Sequence, residues 1–225
     1  MLKDNEILIK PVIKRNGITF SVFGCIGVVC GVSLFLLGSE FFAPGIICFA
    51  LGIIALVLGF SKLAEPEVSL KLSDEGFTYF HRRGQVSVSW DNVQRMDQPR
   101  VTQGIDTVSL PYIGVKIKHM SPVLETISLR LAAGLLTEQR PLLMTASTQD
   151  EDLSVLENQM SAEFTPFIED NDRFKGVLAM FGHRSKLLGN HLGYHLYIST
   201  DALDRPVDEF IALMNKSKQA AVVVA

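Results

Sequence analysis

A long stretch near the N-terminus lacks charge. Between Gly17 and Phe60 the only charged residue is Glu40, although charged residues make up 20% of the chain's 225 residues. An uncharged run of about 20 residues is long enough to cross the hydrocarbon core of a bilayer. Two such runs, 18–37 and 42–60, predict a transmembrane hairpin over 17–61 with a sharp reversal between them.

The same runs also lack the ionisable groups of a transport pathway. Neither contains Asp, Lys, Arg or His, whereas transporters and proton relays normally carry such groups at membrane depth. The first run has no small-x-small cleavage site and is followed directly by the second, which argues against a cleaved signal peptide. The hairpin is therefore predicted to be an anchor, which makes the protein an integral membrane protein with two spans.

Cysteine is missing from residues 61–225, since Cys25, Cys30 and Cys48 all lie in the apolar runs. This leaves no disulfide framework and no thiolate metal site for the polar part of the chain.

The net charge of −3 argues against nucleic acid as a partner. Gly-x-Ser-x-Gly, P-loop, dinucleotide and His-Glu-x-x-His motifs are also missing. We therefore predict a non-enzymatic protein with no catalytic residue, no cofactor and no metal.

Basic residues flank the hairpin on both sides, while its turn holds only Glu40. They are Lys3, Lys10, Lys14, Arg15 and Lys62. Because basic residues favour the cytoplasmic side, both ends are predicted to be cytoplasmic, including an N-terminal segment over 1–16.

Glycine recurs every seven residues through the hairpin, from Gly17 to Gly59. A spacing of seven keeps residues on nearly the same helix face, where small residues let two backbones approach closely. Two uses stay open: the stripes pack on each other within the hairpin, or one stripe mediates self-association. The residues predicted to pack helices are Gly24, Gly27, Gly31, Gly45, Gly52 and Gly59.

From Val68 onwards the pattern changes to the alternation of half-buried strands. Strands are predicted over Val68–Ser73, Phe77–Arg82, 86–90 and Val93–Gln98, then a polar loop over 99–106 and a long strand over Val108–His119. We expect an antiparallel meander.

Helices dominate the remainder of the pattern. They are predicted over Ser128–Glu138, Asp150–Met160, Asp172–Leu188 and Asp204–Lys218, with strands over Arg140–Ser147 and Tyr194–Ser199. Asp204 is predicted to be the N-cap of the last helix, and the apolar stripe of that helix is expected to pack on the sheet. The fold class is α+β.

Two segments, LKLSDEGFTYF at 70–80 and QVSVSWDNV at 85–93, follow one pattern. It is a strand, an acidic-Gly turn, a strand, and a strand that ends in Trp and an acidic residue. With the hairpin and the closing strand and helix, the chain resembles bacterial membrane-anchored pleckstrin-homology-like proteins, an uncharacterised Gram-negative group.

The resemblance implies an inner-membrane location and a cytoplasmic pleckstrin-homology-like barrel over 66–219, followed by a tail over 220–225. Gly76 would permit a turn and Trp90 would close one end of the barrel. The resemblance does not extend over 120–193, whose role stays open.

Two basic groups are candidates for contact with anionic lipid. Arg82 and Arg83 lie in an early hairpin, the position that often holds lipid phosphates in pleckstrin-homology domains, and are candidates by that analogy. A basic amphipathic helix carries the others, namely Arg173, Lys175, Arg184 and Lys186. The alternatives are a solvated turn and a helix that covers the sheet with its basic residues in water.

Three histidines, His183, His191 and His195, are spaced by eight and four residues, and His-x-x-x-His on one helix could bind zinc. Gly189 and Gly193 make a continuous helix there unexpected, so no metal site is predicted.

The leading hypothesis for the function is a domain that binds protein partners or forms a homo-oligomer, and the alternative is a lipid-headgroup-sensing module.

Overall fold

The computed structural model describes residues 6–11, 17–63, 66–103, 106–147, 165–169 and 171–224. The chain divides into two compact units, one of Pro11–Glu67 and one of Met1–Lys10 with Val68–Ala225. The helix predicted at Asp150–Met160 lies outside the described residues.

The first unit is a helical hairpin. Helix α1 (Gly17–Leu37) and helix α2 (Phe42–Leu63) are joined by one turn of 3-10 helix at Ser39–Phe41. Gly38 enters the turn with φ of 133°, a backbone conformation that residues with a Cβ rarely adopt. By length and composition, both helices could cross a membrane.

The strands described in the second unit pair in four antiparallel sheets. They are β1 (Ile7–Ile9), β2 (Leu70–Leu72), β3 (Gly76–His81), β4 (Gly84–Ser89), β5 (Val93–Asp97), β6 (Arg100–Gln103), β7 (Asp106–Ser109), β8 (Tyr112–Ile117), β9 (Phe167–Glu169), β10 (Asp172–Phe174) and β11 (Leu196–Ser199). One sheet has the order β1-β2-β3-β4 and another the order β11-β8-β5, while β6-β7 and β9-β10 are separate hairpins.

Strand β1 precedes the helical hairpin and was not predicted. Ile7 pairs with Leu72 and Ile9 with Leu70, so a segment from before the hairpin completes a sheet that otherwise follows it. Three residues are too few to show the alternation by which a strand is recognised.

Two expectations about the middle strands are wrong. The predicted polar loop over 99–106 contains β6 and the start of β7. The predicted long strand Val108–His119 is two strands, separated at Leu110 and Pro111. Proline has no N–H to donate to a sheet, which explains the interruption.

Within the described ranges, the α-helices of this unit are α3 (Ser121–Thr126), α4 (Leu129–Glu138), α5 (Arg140–Ser147), α6 (Val177–Leu192) and α7 (Val207–Val224). The prediction of α4 is confirmed: the Ser128 hydroxyl caps it by accepting a hydrogen bond from the amide of Leu131 at 3.2 Å. The strand predicted at Arg140–Ser147 is wrong. Leu142 and Leu143 are both buried, and neighbours in a half-buried strand would point to opposite faces.

Two other helices have different bounds from those predicted. Asp172–Phe174 forms β10, and α6 continues past Gly189 to Leu192, where Gly193 ends it in the left-handed conformation (φ of 82°). Helix α7 begins at Val207, three residues after the predicted cap Asp204, whose carboxylate accepts hydrogen bonds from the Arg205 guanidinium at 2.8 Å.

The main core lies among the two larger sheets and their helices. Trp90 is 2% exposed and its indole N–H donates to the Ser73 carbonyl at 2.8 Å. Phe210 and Met214, from the predicted stripe of α7, are completely buried in the same core. A smaller core includes Leu188 and Tyr197. The α+β class is confirmed.

Candidate functional site

A polar cleft of about 210 Å³ opens where β8, β9 and α6 come together. Its apolar wall consists of Ile117, Met120 and Phe167. Its polar groups are Lys118, Glu169, Lys186, Asn190 and His195. Lys186 and Asn190 share one face of α6 because residues four apart are neighbours on a helix. The groups come from positions 117 to 195, so only the fold brings them together.

Glu169 is held in the cleft by the backbone. Its Oε2 accepts the amide N–H groups of Met120 at 2.5 Å and Ser121 at 2.7 Å. These N–H groups lie at the start of α3, where a helix favours negative charge. One carboxylate oxygen is thus already satisfied, and the contact joins β9 to α3.

His195 is fixed in one tautomer. Its Nδ1 accepts the backbone N–H of Ile117 at 3.2 Å, so in the neutral ring the proton is on Nε2. Burial lowers the pKa of His195, the charge of Lys116 lowers it further, and Glu169 opposes them. The imidazole is therefore neutral at pH 7, with Nε2–H as its donor. A Cβ added at Gly189 would lie 2.6 Å from Nε2, so glycine is needed where α6 passes the ring.

The lysines of the cleft are not committed to carboxylates. Among the residues that the structure describes, neither Lys118 nor Lys186 forms an ion pair. Both side chains are exposed, as is Asn190. With one carboxylate and two ammonium groups, the side chains of the cleft have a formal charge of +1.

Arg82 and Arg83, predicted to contact lipid, lie in the turn between β3 and β4 against α4. The carboxylate of Glu138 is 3.4 Å from Arg82 Nη2, 4.0 Å from Arg83 Nε and 3.4 Å from His81 Nε2. The positive charge of the turn is therefore opposed by a carboxylate from a neighbouring element.

The other predicted lipid contacts differ in their exposure. Arg173 and Lys175 are exposed at and just after β10, and Lys186 is part of the cleft. Arg184 is only 7% exposed. Helix α6 buries Phe181, Leu187 and Leu188 with it, so its apolar stripe covers the domain.

The three histidines considered for zinc do not form a ligand set. Among the described residues, no group of three or more His, Cys, Asp or Glu side chains is arranged to hold a metal ion. His183 instead packs edge-on against Phe167, with ring centroids 5.2 Å apart.

The hairpin glycines are placed between α1 and α2. Gly17, Gly24 and Gly31 are buried on one helix and Gly45, Gly52 and Gly59 on the other. A Cβ added at Gly24 would lie 2.6 Å from the Leu56 amide nitrogen, and one added at Gly52 would lie 2.6 Å from that of Val28. Gly27 would place its Cβ 3.0 Å from Gly52 Cα. This geometry favours packing of the stripes within the hairpin.

Gly76 also lies in a close approach, since a Cβ there would collide with the backbone of Val88 and Ser89 on β4.

The cleft between β8, β9 and α6 was not predicted from the sequence. A lysine after one strand and a histidine before another give no local signal until the fold places them together.

By structural class, the protein is an α+β protein with two helices that could span a membrane. Residues 70–220, more than half of the chain, match the family model described as "Protein of unknown function (DUF2982)", and the chain belongs to that family. No curated protein matches the chain. No solved structure matches it either.

Proposed function

We propose that the protein is an inner-membrane protein of bacteria whose hairpin anchors a cytoplasmic pleckstrin-homology-like domain. The domain binds protein partners or assembles with further copies of the chain, and it does not catalyse a reaction. The observation that carries this proposal is the insertion of the hairpin between two paired strands, β1 and β2.

This insertion limits the membrane topology that the hairpin can adopt. Ile9 and Leu70 are direct partners, so the chain leaves the sheet at β1, passes through α1 and α2, and returns to the same sheet. The two ends of the hairpin must therefore lie on one side of any bilayer that it crosses. The basic residues at both ends favour the cytoplasmic side for them.

The order of the strands supports a pleckstrin-homology-like domain. Sheets of four strands (β1 to β4) and three strands (β5, β8, β11) are antiparallel, and the C-terminal helix α7 packs its buried Phe210 and Met214 in the main core. The hairpin β6-β7 and the segment from α3 to α6 are then insertions, which accounts for the stretch that the resemblance does not cover.

The lipid-sensing alternative has less support. Glu138 opposes the charge of Arg82 and Arg83, and Arg184 is buried, so less positive charge is available to anionic lipid than the sequence predicted. A role in protein interaction needs no such surface.

Crosslinking in native membranes tests the proposed role. Amine-reactive crosslinkers of several lengths should trap a discrete homo-oligomer or a defined partner of the full chain. Recovery of monomer alone at every linker length would contradict it.

A further inference from the structure

We propose that the cleft between β8, β9 and α6 binds a phosphate group, held by the ammonium groups of Lys118 and Lys186, the Nε2–H of His195 and the amide of Asn190. The group belongs to a small soluble molecule or to a lipid headgroup. This inference does not depend on the role in protein interaction.

The chemistry of the uncommitted side chains favours a ligand with many acceptor oxygens. The two ammonium groups, the imidazole N–H and the amide NH₂ all donate. Hydrogen bonds from a cation to an anionic oxygen are about twice as strong as neutral ones, and lysine is a common phosphate ligand. A phosphate offers enough oxygens for these donors, and its negative charge complements the net formal charge of +1 that the side chains of the cleft carry.

Glu169 does not prevent the binding of an anion. Its Oε2 accepts two backbone N–H groups at 2.5 and 2.7 Å, so part of its charge is balanced by peptide dipoles. The side chains of the cleft have a formal charge of +1 with Glu169 included.

His195 serves as a fixed donor. The backbone N–H of Ile117 occupies Nδ1 at 3.2 Å, so the ring cannot change tautomer without losing that bond. The donor in the cleft is therefore set before a ligand arrives, which lowers the ordering cost of binding.

The volume limits the size of the ligand. The cleft's 210 Å³ is less than the roughly 300–1,000 Å³ of drug-sized pockets. A phosphate with a small organic substituent fits this space, and the apolar wall of Ile117, Met120 and Phe167 would contact the substituent.

Calorimetric titration of the full chain in nanodiscs of neutral lipid tests the proposal. The probes are phenyl phosphate and soluble dihexanoyl phosphatidic acid. The variants are Lys118→Gln, Lys186→Gln and, as a matched control, Lys216→Gln on the exposed part of α7. Fluorescence of Trp90, the only tryptophan, checks that each variant is folded.

We expect saturable binding of at least one probe, weakened roughly tenfold or more by Lys118→Gln and by Lys186→Gln and unchanged by Lys216→Gln. Preference for phenyl phosphate would identify a soluble ligand, and preference for the phosphatidic acid would identify a headgroup. Failure of both probes to bind, or equal weakening by all three substitutions, would overturn the proposal. Neither result would affect the crosslinking outcome.

Discussion

The carbonyl oxygen of Ile9 accepts a hydrogen bond from the backbone amide of Ser69 at 2.9 Å, and the Ser69 hydroxyl lies 3.1 Å from the same oxygen. That hydroxyl is also 2.5 Å from the carbonyl oxygen of Ala202, so its single proton is shared between two acceptors. Ser69 is buried, and it thereby joins Ile9, 60 positions before it in the sequence, to Ala202, 133 positions after it. The segment before the helical hairpin is thus part of the domain that follows it.

Strand β1 should contribute substantially to the stability of the domain. Ile9 is completely buried in the main core, and replacing such a residue by alanine removes apolar contacts and leaves a cavity. Ile9→Ala should lower the free energy of unfolding by roughly 2–5 kcal/mol. Trp90 lies in the same core, so its fluorescence during denaturant unfolding of the full chain measures the loss.

Leu8 provides the control for this prediction, because it is in the same strand but 50% exposed. Leu8→Ala should change the free energy of unfolding by less than about 1 kcal/mol, as is usual for surface positions. Equal effects of the two substitutions would show that β1 is not packed as described.

Close approach of α1 and α2 should depend on the buried glycines. A leucine at Gly52 would force its side chain into the Val28 backbone, whereas Ala50 is exposed two residues earlier. In a cysteine-free chain, spin labels at Ile18→Cys and Phe60→Cys report the helix separation by electron–electron resonance. Gly52→Leu should lengthen and broaden the distance distribution, and Ala50→Leu should leave it unchanged. An unchanged distribution in Gly52→Leu would rule out stripe-to-stripe packing.

His195 should make the domain less stable in mild acid. Its pKa is lowered in the folded state from 6.5 by burial and by Lys116, with Glu169 opposing. The unfolded chain therefore binds the proton first, and stability is lost as the pH falls below about 6.5, until the folded pKa is also passed.

The matched variant is His195→Asn, whose Oδ1 can still accept the Ile117 amide but which cannot titrate. Between pH 7.5 and 5.5 the unfolding temperature reported by Trp90 should fall less in this variant than in the wild type. An identical fall in both would show that another group causes the acid sensitivity.

Those parts of the fold that carry local patterns could be predicted. Alternating Val68–Leu72, the amphipathic pattern of Ser128–Glu138 and the charge-free runs specify their structure within a few residues. Arg140–Ser147 could not be assigned, since a short apolar segment fits either a strand or a helix until its neighbours decide. Gly189 looked like a helix breaker because nothing local shows that the His195 ring will pack against it.

The candidate site depends almost wholly on tertiary structure. The charge pattern of its helix predicts Lys186 as a lipid contact, but only the fold shows that it lines one cleft with Lys118 and His195. Arg184 had the same pattern and is buried. Charge on an amphipathic helix therefore did not predict exposure for each of its basic residues.

The most direct test of the account asks on which side of the membrane the two ends of the hairpin lie. Native Cys25, Cys30 and Cys48 are replaced by alanine, and single cysteines are placed at Lys10, at Ser39 in the turn and at Asp74 in the domain. A membrane-impermeant maleimide is then applied to intact spheroplasts and to inverted vesicles. The account predicts labelling at position 39 only from outside and at positions 10 and 74 only from the cytoplasmic side. Labelling of positions 10 and 74 from opposite sides would contradict it.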